Sequence, residues 1–105
     1  MSLTTPWTLV GQFAAVRFTL TATAEPGLLP RLLMPFAKRD LTPDSFECAR
    51  AGDMLRVDIA MAAMPAEMVH LVEGNLRQTV GVASVASRKE VTGSVRRALL
   101  QTRAA

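Results

Sequence analysis

The sequence contains few of the residues from which catalytic and metal sites are built. Its 105 residues include one cysteine (Cys48) and one histidine (His70), and only 5% of the residues are aromatic. A single cysteine excludes an internal disulfide framework and favours a reducing cytoplasm. One cysteine and one histidine are also too few soft ligands for a structural zinc site, so we expect neither a metal nor a cofactor.

The sequence also lacks a long hydrophobic run. The longest uncharged apolar stretch, residues 59–66, has eight residues and contains Pro65, whereas a membrane-spanning helix needs about 20. Residues 1–20 show no charged region followed by an apolar one, so no secretory signal is visible. Half of the residues are hydrophobic, which is too many for a disordered chain and fits one small domain. We therefore expect a soluble cytoplasmic domain.

The net charge of +3 is concentrated near the C-terminus. Residues 1–87 contain seven basic and eight acidic residues, whereas residues 88–105 contain five basic residues and one acidic residue. No aromatic side chain lies among these five basic residues to stack on a base, so nucleic-acid binding is the less favoured interpretation. A solvated tail or a segment that docks on a partner is favoured instead.

Hydrophobic spacing predicts a strand and then a helix in the first half of the chain. Val16, Phe18, Leu20 and Ala22 alternate with polar residues, which is typical of a half-buried strand. Beyond Gly27, spacings of three and four predict a helix whose buried face carries Leu28, Leu29, Leu32, Leu33 and Phe36. Pro35 is expected to shorten or kink that helix.

The second half of the chain repeats this order with an additional hairpin. Residues 41–50 predict a strand, Gly52 a turn, and the alternation of Leu55, Val57, Ile59 and Met61 a second strand. Pro65 opens a second helix, and residues 82–86 predict a last short strand. The apolar stripe of this helix comprises Met68, Val69, Leu71, Val72 and Leu76.

The predicted order of elements defines a fold class. Strand–helix–strand–strand–helix–strand is the α+β, ferredoxin-like βαββαβ arrangement, with a four-stranded antiparallel sheet and two helices on one face. We assign residues 1–13 to an irregular lead-in, residues 14–88 to the domain, and residues 89–105 to a basic tail. Apolar residues at helical spacing make the tail compatible with a third helix, weakened by Gly93.

The sheet face opposite the helices is predicted to be mildly polar and built from small residues. It would carry Arg17, Thr19, Thr21, Thr23, Arg56, Asp58, Ala60 and Ala62. This face either stays solvated, or the face or a sheet edge contacts another chain. We favour self-association, as a symmetric homodimer or a higher homo-oligomer.

Motifs for catalysis are absent from the sequence. There is no nucleophile elbow, zinc-protease helix, phosphate-binding loop or dinucleotide fingerprint. His70 fits a surface position beside acidic neighbours, and Cys48 on an apolar strand pattern is predicted to be an inert core thiol. We predict that the protein is not an enzyme.

The segment with the character of a binding site joins the first strand to the first helix. In Glu25, Pro26, Gly27, Leu28 and Leu29, glycine lets the backbone approach a ligand and the helix N-terminus offers N–H groups to a carboxylate. From the residues alone, a plain strand-to-helix turn explains the segment equally well.

At this point the chain resembles the ACT domain family of small-molecule regulatory modules. The resemblance covers residues 14–88 and rests on three matching segments and the order of the predicted elements. These segments are Phe18-Thr19-Leu20, the turn Glu25-Pro26-Gly27-Leu28-Leu29, and Phe36-Ala37-Lys38-Arg39 before the second strand. The resemblance continues through the β-hairpin and the closing residues, Leu76 and Val80-Gly81-Val82-Ala83-Ser84-Val85. Within the family the chain is most similar to the small subunits of acetolactate synthase, through Phe36-Ala37-Lys38-Arg39, Ser45, Pro65 before a leucine-containing helix, and Gly81-Val82.

The resemblance implies a dimer with amino-acid effector sites at its interface. An effector would contact Gly27, Leu28 and Leu29 of one chain and Thr42 and Pro43 at the start of the neighbour's second strand. The partner would be a thiamine-diphosphate-dependent catalytic large subunit in branched-chain amino-acid biosynthesis.

Three positions depart from the family pattern. Effector-binding members have Asp or Asn at the position of Ala24, and commonly glycine at that of Asp40; Thr42 takes the place of a polar Asn-like residue. A stand-alone sensor of a different ligand is the alternative, and a nucleic-acid binder that uses the basic tail is a weaker one.

Overall fold

The predicted order of elements is confirmed by the computed structural model, which describes residues 12–91. The strands are β1 (Phe13–Thr23), β2 (Ser45–Ala51), β3 (Met54–Pro65) and β4 (Val82–Val91). Helix α1 spans Leu28–Ala37, and a 3-10 turn at Ala66–Met68 leads into helix α2, Val69–Gln78. The four strands form one antiparallel sheet in the order β2-β3-β1-β4. This is the ferredoxin-like α+β fold.

Alternation in β1 determines which sheet face forms the core. Even-numbered residues from Ala14 to Ala22 are buried, whereas their neighbours are exposed or partly buried. They pack with Val57, Ile59, Leu28, Leu32, Phe36, Val69, Val72 and Leu76 in a single cluster, so both helices lie on this face. The rings of Phe18 and Phe36 meet edge to face, with centroids 5.8 Å apart.

Two leucines predicted to be buried lie on the outer sides of their helices. Leu33 is 38% exposed and Leu71 is 45% exposed, so their placement on the buried stripes was wrong. In α1 the buried line follows the i, i+4, i+8 positions Leu28, Leu32 and Phe36, and Leu33 lies about 100° further around the helix. Pro35 lies inside α1, where it removes one N–H donor from the helix, and α1 ends two residues later, at Ala37.

Strand β2 starts later than predicted because the residues just after α1 bond back to the end of that helix. Asp40 has a left-handed φ of 58°, and the N–H of Leu41 donates to the carbonyl of Phe36 at 2.9 Å, as in a Schellman-type helix end. The ladder to β3 therefore begins only at Ser45. In contrast, β4 continues beyond residue 86 because it pairs with β1 as far as the Ala14–Val91 partners. Residues 1–11 and 92–105, with most of the predicted lead-in and tail, lie outside the described residues.

The face of the sheet away from the helices, called the open face below, has the predicted residues. Thr19 donates to Asp58 across β1 and β3 at 2.8 Å, and the hydroxyl groups of Thr21 and Ser84 lie 2.6 Å apart. Arg56 contacts the carboxylate of Asp58 at 3.7 Å. The first two of these contacts join neighbouring strands, and the third lies within β3. Within residues 12–91, no helix is long and apolar enough to cross a membrane.

The prediction of a buried Cys48 was wrong. Cys48 pairs with Val57 on the helix side of the sheet, but β2 is an edge strand that contributes only the partly buried Phe46 to the core. Cys48 is exposed as a free thiol.

Cys48 is therefore expected to react with a thiol reagent in the folded protein nearly as fast as in denaturant. Stopped-flow reaction with an aromatic disulfide, monitored by absorbance, measures both rates in the same protein. A native rate slower by orders of magnitude would place the thiol in a protected environment and contradict its exposure.

Candidate functional site

The turn after β1 is held at both sides by backbone hydrogen bonds. The N–H of Thr23 donates to the carbonyl of Gly81 at 2.8 Å, and the N–H of Ala24 donates to that of Asp53 at 2.8 Å. The end of β1 is thereby tied to the turn before β4 and to the β2–β3 hairpin. This fixes the position of the five residues that follow.

Gly27 is the N-cap of helix α1 and has a left-handed conformation with φ of 82°. A side chain is strained there, so the predicted role of glycine in shaping this turn fits its geometry. The N–H of Leu28 donates to the carbonyl of Glu25 at 3.2 Å, and Pro30 has no N–H to offer. Leu28 is buried and Leu29 is partly buried, whereas Glu25, Pro26 and Gly27 are exposed.

An ion pair that the sequence analysis missed lies against this turn. Nη2 of Arg31 contacts Oε1 of Glu25 at 2.6 Å and also donates to the carbonyl of Val80 at 3.3 Å. Nε of Arg31 is buried and has no hydrogen-bond partner among the described residues. Glu25 is thus neutralised by an arginine of the following helix rather than left free for a ligand's ammonium group.

The carboxylate of Glu25 lies directly beside Gly81. A Cβ added at Gly81 would be 3.2 Å from Oε1 of Glu25, and Gly81 has a φ of 99°. The N–H of Val82 donates to the carbonyl of Thr79 at 3.1 Å, so Gly81 is the third residue of a tight turn that favours glycine. Spacing along the sequence could not reveal this contact, because Gly81 reaches Glu25 through the pairing of β4 with β1.

The predicted site residues are divided between opposite ends of the sheet. Gly27 follows the end of β1, whereas Thr42 and Pro43 precede Ser45, which is in register with Ala60 and thereby with Arg17 near the start of β1. Ala51, at the other end of β2, is in register with Met54 and thereby with Thr23 at the end of β1. Ser45 and Ala51 are six residues apart along β2, which corresponds to about 20 Å. The fold therefore does not bring the two groups together within one chain.

The remaining candidates from the sequence do not assemble a reactive centre. His70 is exposed on α2, as predicted. Among residues 12–91, no group of three His, Cys, Asp or Glu side chains could hold a metal ion. Of the N–H groups at this helix N-terminus, that of Leu28 is bonded within the turn and Pro30 has none, so those of Gly27 and Leu29 are the ones that a carboxylate could use.

Comparison with solved structures identifies the class of fold. The chain is similar to an uncharacterized protein of Thermotoga maritima, with a TM-score of 0.61 and 10% sequence identity over 73% of this chain and 96% of that one. It is also similar to the ACT domain from GTP pyrophosphokinase of Chlorobium tepidum, with a TM-score of 0.57 and 13% identity over 72% of this chain and 84% of that one. At such low sequence identity, the structural similarity shows a shared fold, that of a small α+β domain.

A family model described as an ACT-like domain matches residues 11–93. The chain belongs to the ACT-like domain family, so the predicted resemblance is confirmed at that level. ACT domains are generally regulatory modules that bind small molecules, and they commonly dimerise and bind amino-acid effectors. No curated protein gives a significant match.

Proposed function

We propose that the protein is a non-catalytic regulatory module similar to the small subunit of acetolactate synthase in branched-chain amino-acid biosynthesis. It would form a homodimer, dock on a thiamine-diphosphate-dependent large subunit, and bind a branched-chain amino acid at the turn of residues 25–29. The observation that carries this proposal is the left-handed Gly27 at the start of α1 in an ACT-like domain.

The geometry of the turn suits the carboxylate of an amino acid. Gly27 has no side chain to obstruct the start of α1, and the N-terminal end of a helix attracts negative charge. The Glu25–Arg31 pair places the guanidinium group beside the same turn, because a Cβ at Gly27 would lie 3.4 Å from Nη1 of Arg31. The N-terminus of α1 and a guanidinium group already paired with Glu25 therefore lie beside the same exposed backbone.

The two ends of the predicted site could meet across a dimer. β2 is an edge strand, and two β2 strands paired antiparallel about a two-fold axis would bring the start of one beside the end of the other. Thr42 and Pro43 of one chain would then lie at the sheet end that carries the partner's turn. This arrangement supports effector binding between two chains.

The acetolactate synthase assignment is supported by sequence features placed at structural junctions. Phe36, Ala37, Lys38 and Arg39 span the end of α1, where Arg39 donates to the carbonyl of Pro35 at 2.9 Å. Ser45 is the first residue of β2. These residues resemble those of acetolactate synthase small subunits, and they lie at the end of α1 and the start of β2. They therefore favour a connection between α1 and β2 like the one in those subunits.

Titration with valine, leucine or isoleucine is expected to raise the melting temperature of the purified protein. A ligand at one hundred times its dissociation constant stabilises the folded state by about 2.7 kcal/mol. For a domain near this size the corresponding rise is about 10 °C or more. Differential scanning fluorimetry against all twenty amino acids measures both the shift and its selectivity.

Gly27→Ala should abolish that shift, because a side chain would enter the turn beside Arg31. Gly52→Ala is the matched control, since Gly52 also has a positive φ, of 61°, but lies in the β2–β3 hairpin with no atom near the added Cβ. Each shift is taken relative to the same variant without ligand. A flat panel would contradict effector binding here, and activation would then be measured directly by adding the protein to a large subunit.

A further inference from the structure

Two arginines on the open face lie directly opposite each other. Arg17 on β1 is in register with Arg88 on β4, and both residues are exposed. Neither bonds to a carboxylate among the residues whose side chains the structure describes, whereas Arg31, Arg56 and Arg77 each contact one. Like charges opposite each other across strands disfavour the sheet, so this pair would gain from an anion bound between the two guanidinium groups.

The carboxylate of Asp58, opposite Thr19 in the sheet, is occupied by other groups. Its Oδ1 accepts from the hydroxyl of Thr19 at 2.8 Å, and its Oδ2 lies 3.7 Å from Nε of Arg56. The side chain of Asp58 is only 25% exposed. These contacts hold the carboxylate with Thr19 and Arg56, so it leaves the charges of Arg17 and Arg88 uncompensated.

Both arginines line one depression on the open face, together with Arg56 and Asp58. Its volume is about 480 Å³, and ligand pockets commonly span roughly 300–1,000 Å³. Three guanidinium groups against one carboxylate leave the lining with a net charge of +2. The depression therefore suits a small molecule with more than one negative charge.

A phosphoryl group matches this charge better than a carboxylate does. It carries a charge of about −1.5 to −2 at pH 7 and three acceptor oxygens, and arginine binds phosphate through two parallel N–H···O bonds. The Cβ atoms of directly opposite residues in neighbouring strands are about 4.5–5.5 Å apart, so Arg17 and Arg88 can both reach one tetrahedral group. A carboxylate has a single charge and cannot neutralise both guanidinium groups.

The surroundings of the depression favour a small phosphorylated molecule over a strand of nucleic acid. None of its lining residues is aromatic, so no ring there would stack on a base. Beyond β3 the same face carries Glu47 on β2, which is exposed and in register with Asp58. A phosphate backbone that continued in that direction would be repelled by Glu47, because like charges would meet.

We propose that Arg17 and Arg88 bind the phosphoryl group of a small phosphorylated molecule on the open face. This class of ligand differs from the amino acid proposed for the turn of residues 25–29. The place differs as well, because Arg88 on β4 is three strand spacings, or about 14 Å, from β2, which Thr42 and Pro43 precede. The two proposals are therefore independent of each other.

Titration of the ¹⁵N-labelled full chain with glycerol 3-phosphate and, separately, with L-valine tests the site and separates the two proposals. The phosphate ester and inorganic phosphate are expected to shift the amides of residues 17–19 and 86–88, whereas L-valine is expected to shift those of residues 27–29 and Thr42. Acetate at the same ionic strength should bind about tenfold more weakly than the ester, because one guanidinium group stays unpaired. Oligothymidylate should also bind more weakly than the ester at equal phosphate concentration.

Variants of four residues assign the roles of the side chains. Arg17→Gln and Arg88→Gln should each weaken binding of glycerol 3-phosphate by about tenfold or more, because a charged hydrogen-bonding group is lost. Asp58→Asn removes the carboxylate from the lining and keeps an oxygen that can accept from Thr19, so it should strengthen binding. Arg50→Gln is the matched control, because Arg50 is an exposed arginine of β2 that bonds to a backbone carbonyl of the hairpin, and it should leave binding unchanged.

Any of four results would overturn the proposal. An equal loss in Arg50→Gln would show that binding follows net charge rather than the Arg17–Arg88 pair. Equal binding of acetate and the ester would mean a patch for any anion, and tighter binding of oligothymidylate would make nucleic acid the ligand. Absence of any shift with the ester would leave the open face without a phosphate site, while the response to L-valine would still decide the effector proposal separately.

Discussion

Replacing Leu32 by alanine is expected to lower the free energy of unfolding by about 2–5 kcal/mol. Leu32 is fully buried in α1 and packs in the cluster between the helices and the sheet. Removing most of its side chain leaves a cavity that the surrounding strands can only partly fill. Small domains are stabilised by about 5–15 kcal/mol in total, so this one substitution removes a large fraction.

Leu33→Ala is the matched control, because it deletes the same atoms one position along the same helix. Leu33 is 38% exposed, so we expect a loss within about 1 kcal/mol. Urea denaturation monitored by circular dichroism measures both variants. If both substitutions lowered the free energy of unfolding equally, Leu33 would be buried, as hydrophobic spacing predicted, and the orientation of α1 described above would be wrong.

Gly81→Ala is expected to destabilise the protein by about 1–3 kcal/mol, because a non-glycine residue is strained at positive φ. Gly81 has a φ of 99°, and the new Cβ would lie 3.2 Å from Oε1 of Glu25. The substitution therefore strains the turn before β4 and displaces the carboxylate that pairs with Arg31. Thermal and urea unfolding should both report the loss.

Gly74→Ala should change stability in the opposite direction. Gly74 lies inside α2, and a Cβ added there would meet no atom within 4 Å. Alanine in a helix interior is favoured over glycine by about 0.5–1 kcal/mol. If Gly81→Ala were neutral or stabilising like Gly74→Ala, the backbone conformation described for the turn at Gly81 would be wrong.

Hydrophobic periodicity predicted the fold well where one face of a strand or helix is buried along its whole length. The alternation of β1 and β3 identified their core residues because a strand has a period of two. Periodicity failed at Leu33 and Leu71, where several apolar residues are adjacent in the sequence and only one helix face is covered. It also failed at Cys48, because a pattern of residues does not reveal that a strand lies at the edge of the sheet.

The candidate site was predicted only as far as its local backbone. The sequence around Gly27 identified a turn that begins a helix, since proline and glycine act within a few residues. The contacts of Val80 with Arg31 and of Gly81 with Glu25 were missed because they depend on the packing of distant segments. The bulge in β3, where Ala15 faces Ala62 and Ala63, depends on strand register, which cannot be derived from spacing along one chain.

The two edge strands of the sheet, β2 and β4, differ in their contacts with helix α2. Along β4, the side chain of Arg77 donates to the carbonyl of Val85 at 3.1 Å, and Glu73 accepts from Ser87, so helix α2 occupies backbone and side-chain groups of that strand. In β2 the residues from Glu47 to Ala51 are exposed, and no helix side chain among the described residues bonds to this strand. An assembly that extends by pairing of edge strands needs both edges of each sheet to be free. In the dimer proposed above, each copy would use its β2 edge, and a third copy would have to add at β4, where Arg77 already binds the carbonyl of Val85.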